Sequence, residues 1–89
     1  MKTLFRESFW RDVRKNVKDK KILIRIDEII EEVVAAASIS EIKNVKKMKG
    51  AANAYRIRIG SFRLGCFLEG DAIEFVRCLP RKDIYRYFP

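Results

Sequence analysis

The chain has 89 residues, of which 48% are hydrophobic, and it carries a formal net charge of +8. This length fits one domain over residues 1–89, and the hydrophobic content, which includes six Phe and three Tyr, excludes an intrinsically disordered protein. No run reaches the roughly 18 apolar residues of a membrane span, and the charged N-terminal segment lacks the apolar core of a signal peptide. We therefore expect a cytoplasmic protein without a membrane partner.

The first 37 residues predict a strand and two helices. Residues 2–5 form a short apolar-containing strand, and Ser8 is suited to cap a first helix whose apolar residues recur at helical spacing as far as Val17. A second, longer helix carries an apolar stripe from Ile22 to Ala37, with four acids on its exposed positions. The two helices together predict a helical hairpin.

Strand patterns dominate the second half of the chain, after a polar and basic loop over residues 38–54. Three strands are expected in close order, over Tyr55–Ile59, Phe62–Leu68 and Ile73–Cys78. Pro80 ends the third strand because proline has no N–H to donate within a sheet, and residues 81–88 form a short helical tail. This order predicts an α+β fold, with the N-terminal strand and the helical hairpin packed on one face of an antiparallel β-sheet.

The hairpin YRIRIGSFRLG places like charges opposite one another. Gly60 supplies the positive φ that the first position of a type II′ turn requires. The turn then pairs Arg58 with Arg63 and leaves Arg56 on the same face as Arg58. Like charges directly opposite on a sheet are destabilising, so we expect an open arginine face on which a phosphate sits between Arg58 and Arg63.

Basic residues are concentrated in and before this hairpin. The segment from Ile42 to Leu68 contains seven Lys and Arg residues and no acid. A surface that only keeps a protein in solution usually mixes charge signs, whereas a basic stripe beside an apolar core is typical of a polyanion-binding protein. Four lysines that precede the hairpin are therefore candidates for contact with a polyanion or an acidic partner: Lys43, Lys46, Lys47 and Lys49.

The chain contains two cysteines and no histidine. Two cysteines alone do not make a zinc site, and Cys66 is expected to pair with a residue near Glu74 or Phe75 rather than with Cys78. Both cysteines then behave as small hydrophobic residues. We expect neither a metal ion nor another cofactor.

The whole chain resembles the RelE/ParE superfamily of bacterial and archaeal toxins. The resemblance rests on the helical hairpin, a basic loop ending in K-x-K-G, the hairpin YRIRIGSFRLG and the C-terminal RKDIYRYF, in that order. The RelE branch is the most similar. The resemblance implies a toxin of a type II toxin–antitoxin system, a ribosome-dependent endoribonuclease that cleaves translated mRNA without a metal. Its implied partners are the ribosome, mRNA and a cognate acidic antitoxin.

The resemblance also implies roles for individual residues. Tyr85 matches the catalytic C-terminal tyrosine of the family by its local sequence, whereas Tyr87 matches it better by spacing. Arg56 replaces a lysine of the family and cannot serve as a base, because a guanidinium effectively does not lose its proton. The implied catalytic residues are Arg56, Arg58, Arg63, Arg81 and Tyr85. The implied RNA-binding residues are the four lysines above together with Lys82, Arg86 and Tyr87.

These residue types suit transesterification by the 2′-OH of the RNA itself. Several guanidinium groups can stabilise the charge of a phosphorane-like state, and a tyrosine can handle a proton where histidine, the usual carrier, is absent. Two alternatives stay open because fold does not fix function: a ParE-type toxin that inhibits DNA gyrase, and a catalytically degraded toxin-fold protein that only binds nucleic acid. The arginine face combined with a C-terminal tyrosine favours the nuclease.

Overall fold

The computed structural model describes all residues, 1–89, and confirms the α+β fold class. A short 3-10 turn covers Ile39–Glu41. The other elements in chain order are β1 (Lys2–Phe5), α1 (Glu7–Asn16), α2 (Lys20–Ala35), β2 (Val45–Lys47), β3 (Ala54–Ile59), β4 (Phe62–Glu69), β5 (Ala72–Pro80) and α3 (Arg81–Tyr87). The strands form one five-stranded sheet in the order β1-β5-β4-β3-β2. None of the helices combines the length and the apolar character that crossing a bilayer requires.

The central hairpin has the predicted register. Gly60 adopts a φ of +54°, and the turn pairs Arg58 of β3 with Arg63 of β4. Two features of the sheet go beyond the prediction. The sheet is mixed, because β1 pairs in parallel with β5. The segment Val45–Lys47, which lies within the expected loop, instead forms β2 and pairs antiparallel with β3.

Helix α1 supplies hydrogen-bond partners to the part of β5 that no longer pairs with β1. Ser8 lies within the helix and does not cap it, since α1 begins at Glu7; the predicted cap is wrong because the Ser8 hydroxyl instead donates to the Val76 carbonyl at 2.6 Å. One turn later, the Asp12 carboxylate accepts the Cys78 N–H at 3.0 Å. The four-residue spacing puts both side chains on the helix face that meets β5, so α1 satisfies backbone groups that an edge strand leaves unpaired.

Two apolar cores lie on opposite faces of the sheet. The larger one lies between the sheet and helices α1 and α2, where Ile57, Ile59 and Leu64 face the helices as predicted. Its most deeply buried members also include Phe9, Ile26, Ile29, Val33, Ile73 and Phe75. The smaller core lies under α3 on the other face and consists of Met48, Ala54, Val76, Leu79, Ile84 and Phe88. This second core places α3 beside the arginine face of β3 and β4.

A glycine allows the C-terminal segment to lie flat on the sheet. A Cβ atom at Gly65 of β4 would come within 2.8 Å of the Phe88 ring, so only glycine permits this close packing. The cysteines meet the expectation from the sequence: Cys66 pairs with Phe75, and both thiols are free and buried.

Candidate functional site

A basic cleft of about 460 Å³ opens on the sheet face that carries α3. The eight residues that line it are Asn44, Val45, Lys46, Arg56, Arg58, Arg63, Arg81 and Tyr85. The list contains all five predicted catalytic residues, five cations and no acid. The five ion pairs of the structure all lie outside the cleft. The cations of the cleft are therefore uncompensated within the protein, which is the electrostatic character of an anion-binding site.

Arg63 is the most deeply placed cation of the cleft. Its side chain projects from β4 and is buried, contrary to the expectation that all the arginines lie on an open face, because the guanidinium folds back onto the backbone of the hairpin turn. Nη1 donates to the carbonyls of Gly60 and Phe62, both at 2.9 Å, while the buried Nε has no partner. Burial lowers the pKa of Arg63, and repulsion from Arg56, Arg81 and Arg58 lowers it further. The guanidinium stays charged even so, and a bound anion would relieve this cost.

Helix α3 brings two further predicted residues to the arginines. The backbone N–H of Arg81 donates to the Ser61 carbonyl at 2.8 Å, which ties the start of α3 to the hairpin turn. One turn later, the Tyr85 ring lies against Arg56, with the guanidinium carbon 5.6 Å from the ring centroid. Tyr85 is 63% exposed, so its phenol can reach a ligand in the cleft.

The structure separates the two candidate tyrosines. Tyr87 lies outside the cleft in a different depression, which Asp12 and Asp83 also line, and it contacts Arg86 through a cation–π interaction with a distance of 5.5 Å. Residues two apart on a helix do not face the same side, so α3 can direct only one of these rings to the arginines. That ring belongs to Tyr85.

The predicted RNA-binding residues are spread around the cleft. Lys46, Lys47 and Lys49 line an adjoining groove of about 600 Å³, which shares Arg56 and Tyr85 with the cleft. Lys82 flanks the cleft in a further depression, together with Arg81 and Tyr85. Lys43 and Arg86 are exposed but line neither the cleft nor these flanks. No group of His, Cys, Asp and Glu is placed to hold a metal ion.

Sequence reasoning missed Asn44 as a member of the site. This residue lines the cleft next to β2, and its side-chain oxygen accepts a hydrogen bond from Arg58. Its φ is +60°, in the left-handed region. The signal in the sequence was the residue type alone, since asparagine tolerates this conformation better than most residues.

The fold and the cleft define a class of protein: a small α+β domain with a polycationic cleft at one end of its hairpin. No protein-family model matches the chain. The toxin RelE3 of Methanocaldococcus jannaschii is 47% identical over 90 residues, which cover 100% of both chains. In the solved RelB–RelE antitoxin–toxin complex from Methanococcus jannaschii, a chain that is 45% identical superposes with a TM-score of 0.79 over 97% of this chain and 99% of that one.

A more distant structure shows the same fold. The archaeal RelE–RelB complex from Pyrococcus horikoshii contains a chain that is 18% identical, with a TM-score of 0.71 over 90% of this chain and 93% of that one. With full-length identity of 47% to a RelE toxin, this chain belongs to the RelE family of toxins. The resemblance noted from the sequence is confirmed.

Proposed function

We propose that this RelE-family toxin is an endoribonuclease that cleaves translated mRNA at its basic cleft. The observation that supports the proposal is the composition of the cleft, which joins five cations and one exposed phenol without any acid. A phosphodiester is the ligand that such a cleft suits best, because several guanidinium groups can bind its non-bridging oxygens at once.

The chemistry follows from the groups that are present. The 2′-oxygen of the substrate attacks the adjacent phosphorus and the bond to the 5′-oxygen breaks, which leaves a 2′,3′-cyclic phosphate and a 5′-hydroxyl. Arg63 and Arg81 stabilise the charge that develops on the non-bridging oxygens, while Arg56 and Arg58 position the phosphate. The attacking hydroxyl loses a proton and the leaving oxygen gains one, and we assign this proton handling, or stacking on a base, to Tyr85.

The proposed substrate is mRNA on the ribosome rather than free RNA. Sequence-specific reading of single-stranded RNA usually relies on several aromatic stacking residues, whereas the cleft contains one aromatic ring, that of Tyr85. A substrate already held in position by the ribosome removes this requirement, because the ribosome contributes the orientation that the cleft lacks. Free RNA should accordingly be cleaved weakly.

The proposed protein partner is an acidic antitoxin that covers the basic cleft. The M. jannaschii relative was solved as a complex with its antitoxin RelB, and this chain has a net charge of +8. An acidic partner would neutralise the uncompensated cations, so its affinity should fall as salt rises.

The proposal is tested with translating ribosomes, a defined mRNA and matched charge variants. Arg81→Ala should lower the cleavage rate by a factor on the order of 10² to 10³. Arg11→Ala removes the same charge from an exposed position on α1, outside the cleft, and should cleave like the parent. If expressing cells keep intact mRNA but accumulate double-strand DNA breaks, the nuclease assignment is wrong and gyrase inhibition replaces it.

Two conservative variants of α3 then test the tyrosine. Tyr85→Phe removes the phenol oxygen and keeps the ring, so a loss of activity assigns proton handling to the hydroxyl, whereas retained activity assigns stacking. Tyr87→Phe makes the same change outside the cleft and should have no effect. The reverse ranking of the two variants would contradict the placement of Tyr85 in the site.

A further inference from the structure

Asn44 has a backbone conformation that calls for an explanation. It is the only residue other than glycine with a positive φ, at +60°, in a region that most residues with a side chain avoid and that asparagine tolerates better. Such conformations cluster at functional sites, where the surrounding structure maintains them. Here the conformation places the side chain of Asn44 at the wall of the basic cleft.

Two hydrogen bonds join Asn44 to one cation of the cleft. The backbone carbonyl of Asn44 accepts the N–H of Arg58 at 3.0 Å, which extends the pairing of β2 and β3 by one position. The side-chain Oδ1 accepts Nη2 of the same arginine at 3.3 Å. Both ends of Arg58, its backbone and its guanidinium, are therefore held by one residue.

Arg58 needs such a partner because its surroundings repel it. It lies directly opposite Arg63, its side chain is exposed, and no acid lines the cleft. Without a partner, repulsion and side-chain entropy would favour conformations that extend into solvent. A carboxylate would hold the guanidinium but cancel its charge, whereas the neutral amide oxygen of Asn44 holds it and leaves the charge available.

We propose that Asn44 is a positioning residue that keeps the Arg58 guanidinium directed at the phosphate subsite between Arg58 and Arg63. The proposal rests on the proposed ribonuclease function. Asn44 itself need not touch the substrate, because its effect acts through Arg58. Neutral positioning of a cation would also explain why this position holds asparagine rather than aspartate.

Two substitutions at this position separate its contributions. Asn44→Gly keeps the left-handed backbone and the carbonyl but removes the side-chain acceptor. We expect kcat to fall by about tenfold, less than on removal of a charged donor, with KM within about twofold and an unchanged salt dependence of RNA binding. Asn44→Asp keeps an acceptor but cancels one charge, so it should weaken RNA binding and reduce the salt slope by about one.

Asn53 provides a matched control at the other end of the hairpin. Its carbonyl accepts the Leu68 N–H at 2.9 Å, and its side chain donates to the Glu69 carboxylate at 3.2 Å. Like Asn44, it combines one backbone and one side-chain hydrogen bond, but its side chain bonds to an acid and not to a cation. Asn53→Gly should leave both kcat and KM at the values of the parent. An equal loss of activity in the two glycine variants would overturn the proposal, since it would indicate a general effect of loosened loops.

The deciding measurement places Asn44→Gly in an Arg58→Ala background. If Asn44 acts through Arg58, the second substitution causes no further loss of rate; a further tenfold loss would overturn the proposal. A readout independent of activity is the NMR signal of the Arg58 Nε–H group, which should broaden or shift in Asn44→Gly but not in Asn53→Gly. An unchanged NMR signal in Asn44→Gly refutes the positioning role. If the unsubstituted protein fails to cleave mRNA, the proposed function is refuted, and the NMR signal still decides whether Asn44 positions Arg58.

Discussion

Arg63 and Arg77 lie on the adjacent strands β4 and β5 but have opposite electrostatic surroundings. Nε of Arg77 donates to the Asp12 carboxylate at 2.6 Å, and Nη2 donates to the second oxygen at 3.3 Å. Arg63, which is more deeply buried, has two carbonyl acceptors and no acid. The protein therefore pairs one guanidinium with a carboxylate of its own and provides no counterion for the other.

The difference indicates what each arginine contributes. Asp12 also accepts a backbone N–H from β5, so the pair with Arg77 joins α1 to the sheet and serves the fold. Burying a charge without a counterion is unfavourable. Arg63 is buried in this way, and three other arginines repel it. A bound phosphate would supply the missing charge, which is a reason for the fold to retain such a residue.

The largest expected effect comes from replacing each arginine by methionine, which keeps an apolar stem and removes the charge. Arg63→Met should lower the cleavage rate by a factor on the order of 10² to 10³ with little change in stability, because removal of an unpaired buried charge offsets the loss of the hydrogen bonds to the Gly60 and Phe62 carbonyls. Arg77→Met should preserve the rate of the folded protein but lower the free energy of unfolding by about 2 kcal/mol, because it leaves the Asp12 carboxylate without its partner. This loss is smaller than the ~3–5 kcal/mol for a fully buried pair, because the Arg77 side chain is 29% exposed.

Single-turnover cleavage on ribosomes and urea denaturation measure the two effects separately. Rate and stability that fall together in both variants would mean that the two arginines are equivalent. The comparison between a structural and a functional arginine would then be wrong.

A second prediction concerns inorganic phosphate, which should stabilise the parent through the basic cleft. At about one hundred times its dissociation constant, phosphate raises the free energy of unfolding by about 2.7 kcal/mol. Arg63→Met should lose most of this gain, and Arg77→Met should keep it. Thermal unfolding in phosphate, compared with chloride of equal ionic strength, measures the difference; an equal gain in both variants would indicate diffuse screening of the net charge.

The smallest expected effect concerns Cys78, which follows Arg77 in β5. Burial raises the pKa of both thiols, and for Cys78 burial and the Asp12 carboxylate raise the pKa to about 12. Since the thiolate is the reactive form, both thiols should react slowly with alkylating reagents at neutral pH. Arg77→Met should accelerate labelling of Cys78 several-fold by loosening the contact with α1, and Arg63→Met should not. Mass spectrometry distinguishes the two sites, and equal acceleration in both variants would contradict this interpretation.

Local chemistry in the sequence was sufficient for the central hairpin and for the facing of its arginines. Gly60 defines the turn, and the turn defines the register, so the facing of Arg58 and Arg63 follows from a few neighbouring residues. The helical hairpin and the arrangement of apolar residues toward it follow in the same way from periodicity. The function of these residues remains a prediction that the experiments above address.

The tertiary structure alone decided the features that depend on distant segments. The three residues of β2 carry no turn signal of their own and become a strand only because β3 offers a partner. Which of the Tyr85 and Tyr87 rings lies at the basic cleft depends on the rotation of α3, and the packing of Ile84 and Phe88 against the sheet determines this rotation. The burial of Arg63 and the left-handed backbone of Asn44 likewise arise where separate elements meet. Sequence patterns report the preferences of neighbouring residues, whereas these features come from contacts between residues far apart in the chain.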